Sequence, residues 1–135
     1  MTKPVVLIVD DEENIINALK RVLRKEPYEI VATTNPAQAL MFLECVKVSL
    51  LLTDQRMDGI TGDEVIAQAK VKCPGVKCIK LTGYSERTNK ETNKDVLYVI
   101  PKPWNDDELK KLIKSVLESD ESETVFSNAN NQEDR

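Results

Sequence analysis

A chain of 135 residues, 41% apolar and 31% charged, has the size and make-up of one globular domain with a core able to fold independently. Its net charge of −4 and pI near 5.0 leave no basic footprint for nucleic acid, and no apolar run approaches the roughly 18 residues of a membrane span. It holds no histidine. That excludes Ser-His triads, Cys-His pairs, histidine general bases and histidine-bearing metal sites, so any chemistry rests on carboxylates, lysine, hydroxyls and oxygen-ligated metals.

Met1-Thr2-Lys3-Pro4 leads directly into Val5 to Val9, a continuous apolar run that predicts a buried strand. The run is short and ends in Asp10-Asp11 with no small-residue cleavage site, which argues against a signal peptide. Glu12-Glu13 open a helix whose apolar positions Ile15, Ile16, Leu19, Val22 and Leu23 follow the i, i+3, i+4 spacing, and Pro27 stops it. Tyr28 to Ala32 reads as a second, shorter strand. Asn35 before Pro36 is an N-cap with proline at N1, starting a helix that carries Ala39, Leu40, Phe42, Leu43 and Val46.

Next comes Ser49-Leu50-Leu51-Leu52-Thr53-Asp54, an apolar run that stops at an acid and reads as a buried central strand. Gly59 to Gly62 are expected to form a loop. Asp63-Glu64 lead a third helix with Val65, Ile66 and Ala69. Pro74-Gly75 mark a turn before a fourth strand, Val76 to Leu81, closing on Thr82-Gly83. Ser85 to Asp95 contains no apolar residue, so a helix there would have no face to bury.

Val96 to Ile100 is the fifth strand, followed by Pro101-Lys102-Pro103-Trp104. Asn105 caps a last helix with Asp106, Asp107 and Glu108 in its first turn and an apolar stripe of Leu109, Leu112, Ile113, Val116 and Leu117. Residues 1–119 are expected to form the domain. Residues 120–135 are too polar to offset their ordering entropy and are expected to be a disordered tail or the start of a linker. Of the cysteines, Cys45 and Cys78 stand in apolar surroundings and read as core thiols, whereas Cys73, in a Lys-Cys-Pro-Gly turn, reads as exposed. Unpaired spacing of this kind suits a reducing, cytoplasmic compartment.

Five alternations of strand and helix predict a doubly wound parallel sheet with helices on both faces. The C-terminal ends of its strands then share one edge, where such sheets place ligands, and the residues there are Asp10-Asp11, Asp54, Thr82-Gly83 and Lys102. Carboxylates brought this close repel one another, which a hard divalent cation such as Mg²⁺ relieves. Lysine and a threonine hydroxyl suit a phosphoryl group, so one carboxylate can act as nucleophile and form an aspartyl-phosphate.

Val-Leu-Ile-Val-Asp10-Asp11-Glu12, Leu-Leu-Thr-Asp54-Gln-Arg-Met-Asp58-Gly59, Leu-Thr82-Gly83-Tyr84 and Lys102-Pro103-Trp104 together resemble the receiver domain of two-component response regulators, over about residues 4–118. The resemblance implies a flavodoxin-like (βα)5 fold with strand order 2-1-3-4-5. It implies Asp54 as phospho-acceptor, Asp10, Asp11 and Asp54 with the Arg56 backbone carbonyl as Mg²⁺ ligands, Thr82 as the switch hydroxyl and Lys102 as a direct phosphoryl contact. A cis Lys102–Pro103 peptide is implied as well. The donor would be a phosphohistidine on a sensor histidine kinase or phosphotransfer protein, docking near the exposed first helix around Asn14, Asn17 and Ala18, and the output a shifted two-state equilibrium.

Such a domain phosphorylates and dephosphorylates itself but is not a conventional enzyme. Similar wording around Asp54 and Trp104 occurs in receivers attached to output domains, so a stand-alone receiver and one excised from a larger regulator are both expected readings.

Two departures from the family pattern stand out. Val99, with Tyr98 beside it, occupies the position where an aromatic switch residue is usual. The segment between Thr82 and Lys102 is short and lacks an apolar stripe, which alters the face formed by the last strand and its flanking helices. The competing reading is a receiver-like interaction module independent of phosphorylation. A haloacid-dehalogenase-like phosphatase requires Asp-x-Asp after the first strand, which Asp10-Asp11-Glu12 does not supply, and a flavodoxin requires a phosphate loop there that this chain lacks.

Overall fold

The computed structural model describes residues 3–83 and 93–119. Seven strands and four helices follow one another among these residues: β1 (Val5–Val9), α1 (Glu13–Leu23), β2 (Glu29–Thr33), α2 (Pro36–Cys45), β3 (Leu50–Asp54), β4 (Arg56–Met57), β5 (Ile60–Thr61), α3 (Gly62–Lys72), β6 (Lys77–Thr82), β7 (Val96–Pro101) and α4 (Asp106–Glu118). Five strands form one sheet in the order β2-β1-β3-β6-β7, every pair parallel. Leaving aside the β4-β5 hairpin, this is the expected 2-1-3-4-5 order of a flavodoxin-like fold.

All five residues of β3 are buried, because a parallel strand flanked by strands on both sides and helices on both faces meets no solvent. Side chains alternate across the sheet and make two cores. Val6, Ile8, Leu50, Leu52, Ile79 and Leu81 face α1 and α4, packing on Ile16, Leu19, Leu23, Leu109 and Ile113. Leu7, Val9, Leu51 and Cys78 face α2 and α3, packing on Ala39, Leu43, Val65, Ile66 and Ala69. Burial of each large aliphatic side chain contributes about 1.5–3 kcal/mol.

Helix starts follow the local chemistry. Asn35 Oδ1 accepts from the Ala37 and Gln38 amides, and Asn105 Oδ1 from the Glu108 amide. Thr61 and Glu64 form a reciprocal capping box at the head of α3, with Thr61 Oγ1 accepting from Glu64 N at 3.1 Å and Glu64 Oε1 from Thr61 N at 2.8 Å.

Three expectations need correction. Residues 59–62 are not simply a loop: Arg56–Met57 and Ile60–Thr61 pair as an antiparallel hairpin turning through Asp58-Gly59, where Gly59 adopts φ 84°, and Gly62 already belongs to α3. Cys45 is exposed, because it lies two residues beyond the inward-facing Leu43 and so about 200° around α2. Cys73, expected outside, is buried, with its Sγ donating to the Val48 carbonyl at 3.5 Å. Tyr98, beside Val99 at the position where an aromatic switch residue is usual, is 48% exposed on β7. The expected tail at 120–135, and most of the apolar-free 85–95 segment, lie outside the described residues. Among the described residues, no helix is long and apolar enough to cross a membrane.

Candidate functional site

Parallel strands bring their C-terminal ends to one edge, and the strand order reverses between β1 and β3, which opens a crevice there. Asp10 follows the last residue of β1, Asp54 ends β3, Thr82 ends β6 and Lys102 follows β7. Asp10, Asp54 and Thr82 are buried to 5% exposure or less. Carboxylate oxygens of Asp10, Asp11 and Asp54 lie within 4.8 Å of one another, with Asp11 on the exposed side.

Lys102 Nζ stands between the two buried acids, 2.9 Å from Asp10 Oδ2 and 3.2 Å from Asp54 Oδ1, and reaches exposed Glu12 at 3.6 Å. The Lys102–Pro103 peptide is cis, as the resemblance implied. Arg56, at the start of β4, lies two residues beyond Asp54 along the same edge, its side chain exposed. Trp104 packs its ring against the α1–α4 core, and its Nε1 donates to Asp106 Oδ1 at 3.0 Å.

The electrostatics follow from the crowding. Burial, reinforced by the Asp10 charge, pushes the Asp54 carboxyl up to about 6 against the opposing pull of Lys102 and the Gln55 amide. Asp10 is also raised, chiefly by burial, despite the Glu12 amide and Lys102. Burial would lower Lys102, but Asp10 and Asp54 outweigh it and hold the ammonium above its ordinary value. One lysine thus faces two buried carboxylates, with the Asp11 carboxylate close by.

The pocket also contains unused hydrogen-bonding capacity. Asp10 Oδ1 accepts from the Glu12 amide at 2.9 Å, and buried Asp10 Oδ2 is taken by Lys102 Nζ at 2.9 Å. Thr82 Oγ1 is buried without a partner among those residues. A buried hydroxyl with hydrogen-bonding capacity to spare suits an oxygen-rich ligand. Three clustered carboxylates of hard oxygen character, short of positive charge, are the donor set that Mg²⁺ takes, so the residues present fit that ion.

A second set of polar residues supports Asp54 from behind and was not anticipated from the sequence. Gln55 N donates to Asp54 Oδ1 at 3.0 Å, and the Gln55 side chain makes two bonds with Asp63: its Nε2 donates to Oδ2 at 3.1 Å, and its Oε1 accepts from the Asp63 amide at 3.0 Å. Asp63 Oδ1 in turn accepts from Lys80 Nζ at 3.0 Å and Asn93 Nδ2 at 2.7 Å. Lys80 is 4% exposed. Its only sequence signal was a charge inside an apolar strand run, Cys78-Ile79-Lys80-Leu81.

The response regulator receiver domain family matches residues 6–114. Sporulation initiation phosphotransferase F of Bacillus subtilis is 31% identical over 114 residues, covering 83% of this chain and 92% of that protein. The hydrogenase transcriptional regulatory protein HoxA of Cupriavidus necator is 33% identical over 117 residues, or 84% of this chain, which spans about a quarter (24%) of that relative's length. Among solved structures, a CheY-like receiver domain from Methanospirillum hungatei superposes with TM-score 0.80 at 31% identity, covering 90% of this chain and 99% of that one. The response regulator TrrA of Thermotoga maritima, solved in complex with Mg²⁺ and BeF, superposes with TM-score 0.74 at 34% identity, covering 84% and 98%. On fold, site geometry and family match alike, this chain belongs to the receiver domains of response regulators.

Proposed function

We propose that this receiver domain accepts a phosphoryl group on Asp54 from the phosphohistidine of a sensor histidine kinase or phosphotransfer protein, in a Mg²⁺-dependent reaction in the cytoplasm. The observation that carries the reading is the Asp10–Asp11–Asp54 carboxylate cluster with Lys102 at 3.2 Å from Asp54. Asp10, Asp11, Asp54 and the Arg56 main-chain carbonyl would hold the ion. When bound, Mg²⁺ supplies positive charge that offsets the carboxylate repulsion and the charge of an incoming phosphoryl group.

The chain's own residues do the rest. An Asp54 oxygen attacks phosphorus, forming the P–O bond as the donor's P–N bond breaks and the imidazole leaves neutral with its proton. Lys102 places its ammonium on the equatorial phosphoryl oxygens, and the Thr82 hydroxyl, which has no partner among the described residues, can donate to one of them. That new bond would bias a two-state equilibrium toward the signalling surface. Hydrolysis reverses the cycle: water adds to phosphorus, the bond to Asp54 breaks, and the carboxylate and inorganic phosphate are released.

The test is phosphotransfer from a histidine kinase, or loading with a small phosphodonor such as acetyl phosphate. One acid-stable, base-labile phosphoryl group should appear per chain, only with Mg²⁺, and be lost in Asp54→Asn. Full labelling of that variant would overturn the assignment. No labelling of the parent protein by any donor would instead favour an interaction module independent of phosphorylation.

A further inference from the structure

Lys80 is a charge where the sheet calls for an apolar side chain. It lies on β6 between buried Ile79 and Leu81, its Cα opposite that of Thr53 on β3, one residue before the acceptor. Desolvating a lysine is costly, and a hydrophobic side chain of similar volume would avoid that cost. What Lys80 obtains instead is Asp63 at 3.0 Å, the residue that clasps both ends of the Gln55 amide. Burial would raise the Asp63 carboxyl, but its bonds from Asn93, Lys80 and Gln55 prevail and hold it below the ordinary range.

Gln55 is held at every polar atom. Its main-chain N lies 3.0 Å from Asp54 Oδ1 and 3.3 Å from the Leu81 carbonyl, its main-chain O accepts from Gly62 N at 2.9 Å, and its side-chain amide is spent on Asp63. Lys102 also approaches Asp54 through Oδ1. Among the described residues, then, both contacts fall on one carboxylate oxygen, which leaves Oδ2 as the atom to be phosphorylated and Oδ1 as the carbonyl of the acyl-phosphate.

We infer that Asp63, anchored by buried Lys80, is a positioning residue that fixes the Gln55 amide on Asp54 Oδ1 and thereby sets the lifetime of the aspartyl-phosphate. This rests on the proposed phosphorylation of Asp54. In hydrolysis the P–Oδ2 bond breaks, water supplies the oxygen that stays on phosphorus, and the leaving group is the Asp54 carboxylate. A donor held on Oδ1 stabilises that developing charge more than it stabilises the ester carbonyl, so it speeds departure. Loosening the clasp lets Gln55 N drift from Oδ1 and prolongs the phosphorylated state.

The experiment loads the full chain with acetyl phosphate and Mg²⁺, removes the donor, and follows loss of the phosphoryl group. Removing Asp63 alone would take a carboxylate away from buried Lys80, so the informative variant is Asp63→Ala with Lys80→Met, which takes out both charges together. Its phosphoryl half-life should lengthen about fivefold, the size of one loosened hydrogen bond, with Mg²⁺ affinity by calorimetry unchanged. Lys80→Arg, which keeps a cation on Asp63, should retain a half-life near that of the parent. A folded double variant with the parent's half-life would overturn the inference, as would equal lengthening in Lys80→Arg. Failure of the parent itself to be labelled would sink the phosphorylation reading instead, so the two failures are distinct.

Discussion

A β-carbon on Gly62 would lie 2.3 Å from the main-chain oxygen of Asp54. Helix α3 therefore begins in direct contact with the backbone at the end of β3, and only a residue without a side chain permits that approach. The neighbouring contacts are backbone too, Gln55 Cα at 3.0 Å and the Asp54 carbonyl carbon at 3.1 Å, so nothing flexible can give way.

Gly62→Ala is accordingly expected to push α3 and the Asp54–Gln55 turn apart. The cost should be about 2 kcal/mol, within the usual range for overpacking a tight site, read as a lower urea midpoint at unchanged slope. Gly75, where an added β-carbon would meet nothing within 4 Å, is the control, and Gly75→Ala should change the midpoint little.

The Asp54 carboxyl, held at about 6, makes a signed prediction for pH. The unfolded chain releases this proton near 3.9. Between those values the native state binds the extra proton, so this group's contribution to stability falls as pH rises from about 4 to about 6 and stays low above. Asp54→Asn removes a charge that burial and Asp10 disfavour. Without divalent ions it should be more stable than the parent at pH 7 by an amount of order 1 kcal/mol, and the difference should vanish near pH 4. Mg²⁺ should stabilise the parent at pH 7 and the variant less. Denaturant melts at the two pH values check all of these, and an Asp54→Asn protein less stable at pH 7 would contradict the electrostatic account.

Thiol reactivity tests the placement of the cysteines. Cys45 is exposed, Cys73 and Cys78 are buried, and burial pushes the Cys78 thiol up to about 12. The thiolate is the reactive species, so a maleimide or aromatic disulfide reagent should modify one cysteine of the folded chain quickly, at Cys45. The other two should react only in denaturant. Rapid native labelling of Cys73 would mean that its turn lies open, as its sequence suggested.

Local chemistry was enough to fix much of this protein. The apolar runs Val5 to Val9 and Leu50 to Leu52, the i, i+3, i+4 stripes of α1 and α4, and the caps at Asn35 and Asn105 are set by residues adjacent to each other in the chain. Strand–helix alternation then orders the sheet, and a parallel sheet brings Asp10, Asp54, Thr82 and Lys102 to one edge without knowledge of any distance. What only the tertiary structure decided are pairings between elements remote in sequence. Lys80 meets Asp63 across β6 and α3, Gly62 abuts Asp54, the 56–61 turn closes into a hairpin, and Cys73 is covered beside Val48 while Cys45 faces outward. Periodicity records which side of its own element a residue occupies. Burial and partnership depend on what the rest of the chain lays against that side, and that is settled only when the elements pack.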